Sequence, residues 1–147
     1  MLYKKLIIVL ASSLCINLSN ASSFIHSFPR TTINIGIHVL QIELAYTPEQ
    51  KEQGLMFRQN LAQNEGMLFD FHSPTTICMW MKNTVLPLSV AFADEEGKII
   101  NIENMQPQTL TPHCSEKPAR FALEVNQGWF QQKGIQPSTR IEKLPNQ

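Results

Sequence analysis

The sequence LPLSVAFADEEGKIINIENM, residues 86–105, contains the clearest folding signal in the chain. Its first half places Leu88, Val90 and Phe92 at alternate positions, the two-residue period of a β-strand with one buried face. Residues 94–97 (DEEG) form a predicted turn, because glycine adopts a positive φ without steric cost. The residues after the turn are predicted to return as a partner strand, so this stretch predicts an antiparallel hairpin.

Alternating apolar residues predict further strands on both sides of the hairpin. These predicted strands cover residues 33–39, 40–44, 66–73, 76–81, 120–125 and 139–144. The apolar phase shifts between the first two strands, which predicts a bulge or tight turn near residues 36–39. Thr47, Pro48 and Gln50 begin a short helix with a capping box, and a second short helix is predicted over residues 127–133.

These elements together predict a mainly β fold, more exactly a β-rich α+β domain. We expect a single compact, barrel-like or curled antiparallel sheet with one or two short helices. The 147 residues suit one domain, and a hydrophobic fraction of 43% is sufficient for a packed core. A globally disordered chain is therefore excluded.

The N-terminal residues MLYKKLIIVLASSLCINLSNA resemble a cleaved signal peptide. Lys4 and its neighbouring lysine precede an apolar stretch over residues 6–18, which is shorter than the roughly 20 residues that span a bilayer. Ser19 and Ala21 provide the small side chains that signal peptidase requires before the cleavage point. We therefore expect an exported protein with no membrane span.

This interpretation divides the chain into three parts. Residues 1–21 are the predicted signal peptide, residues 22–30 a flexible leader, and residues 31–147 a single β-rich domain. The mature protein would be periplasmic or secreted.

The charge balance limits the partners of the protein. The chain has 12 Lys and Arg residues against 12 Asp and Glu residues, so its formal net charge is zero. Such a chain has no general electrostatic attraction for nucleic acid or for an anionic membrane surface. We expect no nucleic-acid partner, and the sequence does not identify a protein partner.

Loss of the signal peptide would leave two cysteines, Cys78 and Cys114. In an oxidising compartment, an even number of cysteines in a small domain favours a structural disulfide. A redox-active pair would favour the close CxxC spacing, which this sequence lacks.

Motifs that define common catalytic sites are absent from the sequence. We find no Walker loop and no GxGxxG, HExxH or GxSxG motif, which argues against the usual nucleotide, metalloprotease and serine-hydrolase sites. Arg58 and Glu65 flank an apolar run, where they could form a structural ion pair. Alternatively, Arg58 could present its guanidinium to a carboxylate or phosphate ligand. Trp80, Lys82 and Asn83 could bound a small pocket.

Methionine is frequent in the mature chain, and methionine is a ligand of Cu(I), so a copper site is one alternative. Met56, Met67, Met79, Met81 and Met105 are joined by His72 and His113. Thioethers together with histidine can bind Cu(I) in an oxidising compartment. Because most of these methionines share predicted faces with other apolar residues, core packing explains them equally well. We expect no metal and no cofactor, and keep copper as an alternative.

Several ordered motifs carry a family resemblance. GLMFR at residues 54–58, EGMLF at 65–69 and WMKNT at 80–84 are similar to the domain of unknown function 192 family, also called uncharacterised protein family 0127. The resemblance covers about residues 33–141 and implies a compact β-rich domain, often exported, with no established activity. The family usually carries an aspartate where this chain has Ser89, so no acid–base role is transferred to that position.

Three functions are compatible with these observations. The first is a non-enzymatic binding or accessory domain for a small polar or anionic ligand. Its predicted ligand-binding residues are Arg58, Trp80, Lys82, Asn83 and Glu124, with Glu65 and the two cysteines in structural roles. The second is a small hydrolase-type enzyme with Glu124 or Asp70 as general base. The third is a periplasmic Cu(I)-binding protein with methionine and histidine ligands.

Overall fold

The computed structural model of the protein describes residues 27–145. The predicted signal peptide and residues 22–26 of the predicted leader lie outside the described residues. The carbonyl of Ser27 accepts a hydrogen bond of 2.8 Å from Gln50 Nε2, and the carbonyl of Pro29 accepts one of 2.8 Å from the amide of Leu44. No helix within residues 27–145 has the length and hydropathy to cross a bilayer.

Strands dominate the described part of the chain, which confirms the predicted mainly β fold. The strands are β1 Arg30–Ile35, β2 His38–Ala45, β3 Glu65–Thr75, β4 Cys78–Met79, β5 Leu88–Ala93, β6 Ile99–Met105, β7 His113–Cys114, β8 Ala119–Asn126 and β9 Ile141–Glu142. The two helices are α1 Pro48–Gln53 and α2 Trp129–Gln132. Thr47 caps α1 through the predicted capping box, and its Oγ1 accepts from the amide of Gln50.

Seven strands form one curled sheet in the order β6-β5-β8-β3-β2-β1-β9. Strand β8 lies between the β5–β6 hairpin and the β1–β3 half of the sheet, so it joins the two halves. Lys98 and Arg140 form an isolated bridge that brings the two outer ends of the sheet together. This near-closure agrees with the predicted barrel-like shape.

One strand pair departs from the predicted antiparallel arrangement. Strands β2 and β3 are parallel, with Glu43 opposite Met67 and Ala45 opposite Phe69. The reason is the connection between them, since α1 and the segment that follows it return the chain to the end of the sheet where β2 began. A parallel pair requires a crossover of this kind, whereas a hairpin cannot form one.

The hairpin predicted over residues 86–105 is present. Strands β5 and β6 pair in antiparallel register, and the amide of Gly97 donates to the carbonyl of Asp94 at 3.1 Å. Gly97 has a φ of 80°, and a Cβ at this position would lie 2.4 Å from the carbonyl oxygen of Ile141. The turn therefore needs glycine for its conformation and also for the close approach of β9.

Two hydrophobic clusters occupy opposite faces of the sheet. Along β5, Val90 and Phe92 belong to one cluster, while Ala91 and Ala93 belong to the other. The helix α2 covers the second of these faces with its buried aromatic pair. Because successive residues of a strand point to opposite faces, this division follows from the two-residue period.

A separate two-stranded sheet, β4 with β7, carries the predicted disulfide. Cys78 and Cys114 are directly opposite each other in this antiparallel pair and are bonded. The strand predicted over residues 76–81 is reduced to two residues, because a turn follows it in which the amide of Thr84 donates to the carbonyl of Met81. This small sheet lies on the same side of the molecule as the cluster that contains Met79.

Candidate functional site

The most unusual side chain of the described structure is the carboxyl group of Glu124. Strand β8 places it between Met67 of β3 and Val90 of β5, its register partners. Glu124 is only 4% exposed, and its carboxyl group, which reaches the surface of a cavity, has no hydrogen-bond or ion-pair partner among residues 27–145. Burial among apolar neighbours raises the pKa of Glu124 to about 8, because the charged form loses its hydration there.

Glu124 lies on the wall of a cavity of about 140 Å³. The cavity is bounded by the α1 region, the end of β3, strand β4 and the segment after it. Its lining residues are Lys51, Glu52, Gln53, Gly54, Leu55, Met56, Phe69, Phe71, Cys78, Met79, Trp80, Thr84 and Glu124. Aromatic rings and thioethers therefore make up most of the large side chains around one buried acid.

The end of α1 shapes one wall of this cavity. Gly54 has a φ of 46°, and a Cβ at this position would lie 3.1 Å from Cζ of Phe69. The chain can therefore turn tightly over the phenylalanine ring and direct Leu55 and Met56 into the cavity wall. Lys51 is fixed at the rim, where its Nζ donates to the carbonyl of Asp70 at 3.1 Å.

Trp80 forms part of the opposite wall and remains accessible. Its side chain is 47% exposed, and Lys82 Nζ lies 5.2 Å from the centroid of its ring. Asn83 Nδ2 lies 4.0 Å from Sδ of Met56, another lining residue. The structure thus places Trp80 and Glu124 in one cavity, with Lys82 and Asn83 next to its wall.

Arg58 lies in a different place. Its guanidinium pairs with the carboxylate of Glu43, which also accepts from Arg30 at 2.7 Å. Glu65, the predicted partner of Arg58, instead accepts a hydrogen bond of 3.3 Å from the amide of Ala62. The predicted Arg58–Glu65 pair is therefore wrong, because β2 brings the carboxylate of Glu43 to the arginine.

These residues line a second cavity of about 120 Å³ on the other side of Leu55. Arg58 and Glu65 both lie on its wall, together with Arg30 and Glu43. The predicted five-residue site is thus divided, since Arg58 belongs to this second cavity and the other four residues lie in or beside the first.

Asp70 is excluded as a general base by its partners. Arg120 donates to both of its carboxylate oxygens, from Nε at 3.1 Å and from an Nη at 3.2 Å. The amide of His72 donates to the same carboxylate at 2.7 Å, and Asp70 is 2% exposed. A carboxylate that is buried and held in this way is a structural anion. The hypothesis of a hydrolase with Asp70 as its general base is therefore wrong.

The predicted copper ligands do not converge. Met56 and Met79 line the cavity of Glu124, but no histidine does. His72 Nε2 lies 3.0 Å from the carbonyl of Tyr46, and His113 Nδ1 lies 2.7 Å from Glu103. Within residues 27–145, no group of three or more His, Cys, Asp and Glu side chains is arranged to hold a metal ion.

Ser89, at the position where the resemblance leads us to expect aspartate, has a structural role. Its hydroxyl donates to Asn104 Oδ1 at 2.6 Å and accepts from the amide of Gly128 at 2.9 Å. It therefore ties β6 and the start of α2 to β5, on the face of the sheet opposite Glu124.

Sequence patterns alone did not reveal the contribution of α1 to the site. The helix supplies Lys51 and Glu52, and the turn after it supplies Leu55. A usable signal was present in Gly54, whose position directly after a short helix marks a tight turn.

The chain matches known proteins over most of its length. A family model described as DUF192, Uncharacterized ACR, matches residues 30–143. A crystal structure of a candidate transcription regulator from Sinorhizobium meliloti 1021 is 38% identical, with a TM-score of 0.77, over 80% of this chain and 95% of that one. A protein of unknown function from Novosphingobium aromaticivorans DSM 12444 is 35% identical, with a TM-score of 0.74, over 77% of this chain and 84% of that one. No curated protein matches the sequence.

Proposed function

The chain belongs to the DUF192 family, and we propose that it is an exported, non-enzymatic binding domain for a small polar ligand. The observation that carries this proposal is the carboxyl group of Glu124, buried in the wall of a cavity without a partner among the described residues. Trp80 is the second binding residue, since its partly exposed ring lines the same cavity.

The energetic argument concerns the cost of an unsatisfied polar group. A buried polar group without a hydrogen bond costs about 1–3 kcal/mol, and a folded protein retains such a group where a function requires it. A ligand that hydrogen-bonds to Glu124 would remove this cost on binding. A mostly apolar cavity with a few polar groups that fix orientation is the usual design of a small-molecule site.

The size of the cavity limits the ligand. A volume of about 140 Å³ is close to that of an engineered cavity of about 150 Å³ that binds benzene. The part of the ligand enclosed by the protein therefore has about six heavy atoms. Larger ligands would extend past Trp80 into solvent.

An enzyme is the second candidate, and one observation favours it. The raised pKa of Glu124, about 8, places its proton transfer near neutral pH, where a general acid or base is effective. Glu124 would then act as the general base of a hydrolase. Turnover of the bound compound, monitored by NMR over hours, separates an enzyme from a binding domain.

Export is supported by two features of the chain. The N-terminal 21 residues resemble a signal peptide, and the Cys78–Cys114 disulfide is consistent with an oxidising compartment. A nucleic-acid-binding role, which the description of the Sinorhizobium meliloti protein raises, is not part of the proposal. Equal numbers of basic and acidic residues provide no general attraction for phosphate backbones.

The proposal is tested by screening the mature protein for ligands by thermal shift, with a panel of small carboxylic acids, amines, amides and alcohols. We expect at least one compound to raise the Tm in a saturable manner, and Glu124→Gln to weaken its binding at least tenfold. Glu142→Gln is the matched control, because Glu142 is exposed on β9 and lies outside the cavity. Equal binding by both variants, or no binding at all, would overturn the proposal.

A further inference from the structure

We propose that the cavity of Glu124 selects a protonated amine, so that the ligand is a small organic ammonium ion. This inference rests on the proposed binding function and narrows it to one chemical class. The sequence-based expectation was a small polar or anionic ligand, and its anionic form depended on Arg58 being part of the same site.

The first support is the chemistry of the cavity wall. Three aromatic rings (Phe69, Phe71 and Trp80) and two thioethers (Met56 and Met79) line the cavity together with the buried carboxyl group of Glu124 and the exposed one of Glu52. Aromatic faces attract cations through the ring quadrupole, and this attraction strengthens when the cation is removed from water. A carboxylate at the same site would provide the counter-charge for an ammonium group.

The second support comes from the ammonium groups of the chain itself. Lys51 Nζ lies 4.9 Å from the centroid of the Phe71 ring, and Lys82 Nζ lies 5.2 Å from that of Trp80. Both distances are within the roughly 6 Å range of a cation–π interaction. Two of the rings that line this cavity thus already accept ammonium groups at its rim.

The third support is the distribution of charge around Glu124. From α1, Lys51 and Glu52 line the cavity with opposite charges, and the Lys51 ammonium is hydrogen-bonded to the carbonyl of Asp70. Lys82 lies beside Trp80, outside the residues that line the cavity. Among these charged groups, Glu124 is the buried one, whereas Glu52 is exposed to solvent, and no described residue neutralises Glu124.

The strands beside Glu124 add no charge to the cavity. Met67 and Val90 are its apolar neighbours on β3 and β5, and the sulfur of Cys78 is held in the disulfide. Asp70 of β3 is paired with Arg120, and neither residue lines the cavity. Glu65, also on β3, lines the second cavity instead. A cation placed against Glu124 therefore meets a buried acid that no positive charge on these strands compensates.

Binding of an ammonium ion would be linked to the proton on Glu124. Since burial raises the pKa of Glu124 to about 8, the acid must lose its proton before it can pair with a cation. The apparent affinity for an amine should therefore increase about tenfold per pH unit from pH 6 to 8 and level off above. A ligand that accepts a hydrogen bond from the protonated acid would show the opposite trend and bind more weakly above pH 8.

The test uses three probes of equal size, butylammonium, 1-butanol and butyrate, titrated into the mature protein between pH 6 and 9 and followed by NMR. We expect butylammonium to bind most tightly, with affinity increasing with pH, and calorimetry in two buffers to record release of about one proton at pH 7. Glu124→Gln should abolish this pH dependence and weaken butylammonium binding at least tenfold. Trp80→Leu, a change at a half-exposed ring, should weaken it several-fold while the spectrum of the fold is retained.

The outcomes separate the two proposals. Tighter binding of butyrate or butanol, lost in Glu124→Gln, would overturn the amine inference while supporting a binding site at Glu124. Butylammonium binding that is unchanged by pH and by Glu124→Gln would overturn the inference as well. If none of the three probes binds, the amine inference is wrong, and the compound panel described above decides the broader proposal.

Discussion

Glu124 makes the stability of the protein depend on pH in a direction opposite to that of most acids. Its pKa is raised from 4.5 to about 8 by burial, so the unfolded chain loses this proton at a lower pH than the folded one. The contribution of the protonated acid to stability is complete below about pH 4.5 and is lost as the pH rises to about 8. Above that pH, the folded protein contains the buried negative charge of the Glu124 carboxylate.

We therefore expect Glu124→Gln to become more stabilising, relative to the natural protein, as the pH increases from 4.5 to 8. The expected relative gain is on the order of a few kcal/mol, because each unit of pKa shift corresponds to about 1.4 kcal/mol. Urea denaturation at pH 4.5, 6 and 8 measures it. Glu142→Gln, an exposed change, should show no such trend. A constant difference for Glu124→Gln would show that this acid titrates normally in the folded protein.

Asp70 and Arg120 provide a second prediction, since theirs is a buried pair. Asp70 is 2% exposed and accepts two hydrogen bonds from the guanidinium, which raise the pKa of Arg120. Removal of one partner leaves a buried charge, which costs about 3–5 kcal/mol. Arg120→Met should lower the free energy of unfolding by that amount in urea denaturation.

The matched control is Arg30→Met, because Arg30 also pairs with a carboxylate but its side chain is 65% exposed. An exposed pair contributes about 0–1 kcal/mol, so this variant should be nearly as stable as the natural protein. Similar losses for the Arg30 and Arg120 variants would contradict the assignment of Asp70 as a structural anion.

The turns of the sheet supply a third prediction, based on two glycines with positive φ. Gly97, in the β5–β6 turn, lacks room for a side chain beside the carbonyl of Ile141, whereas a Cβ at Gly36 would meet no atom within 4 Å. Gly36→Ala should cost about 1 kcal/mol from its backbone conformation alone. Gly97→Ala should cost at least about 2 kcal/mol, since it adds a backbone clash. Thermal denaturation compares the two, and equal losses would mean that β9 can move away from the turn without cost.

The small sheet of β4 and β7 gives a fourth prediction. Its disulfide joins residues 36 positions apart, and in the chain-entropy model a loop of this length contributes about 3–4 kcal/mol. The double substitution Cys78→Ser with Cys114→Ser should lower the free energy of unfolding by that amount. Because Cys78, Met79 and Trp80 line the cavity, ligand binding should weaken in the same variant. An unchanged free energy of unfolding would mean that the pairing of β4 with β7 stabilises the fold sufficiently without the disulfide.

Local patterns predicted the fold well. The hairpin around Gly97, the capping box at Thr47 and the pairing of Cys78 with Cys114 are all present. Each of these features depends on residue types at short spacing, or on the two cysteines that lie outside the predicted signal peptide. The shift in apolar phase near Gly36 also corresponds to a real turn, between β1 and β2.

The site was predicted only in part, because it depends on the path of the chain between strands. Glu124 and Trp80 do share a cavity, but Arg58 forms an ion pair with Glu43 and lies in the second cavity. The parallel pairing of β2 with β3 determines where Glu43 lies, and no local pattern distinguishes a parallel neighbour from an antiparallel one. For the same reason, the absence of a charge partner for Glu124 was visible only in three dimensions.

The proposed export of the protein yields a fifth prediction. Expression of residues 1–147 in a Gram-negative host should place the protein in the periplasm, with Ser22 as the first residue by mass spectrometry. Leu10→Arg would interrupt the apolar segment and should retain the full-length protein in the cytoplasm. Recovery of the natural chain from the cytoplasm, with residue 1 present and both thiols titratable, would contradict export.

The central place of β8 has a consequence for how the protein is made. The β1–β3 half and the β5–β6 hairpin are joined by β8, residues 119–126, and at their outer edges by the bridge between Lys98 and Arg140, so both connections need residues near the end of the sequence. Pairings between distant segments form slowly, because the loops that separate them must close first. A ribosome must therefore synthesise most of the polypeptide before the sheet can assemble. Until then the two parts of the sheet remain unjoined, a state that would favour the export proposed above.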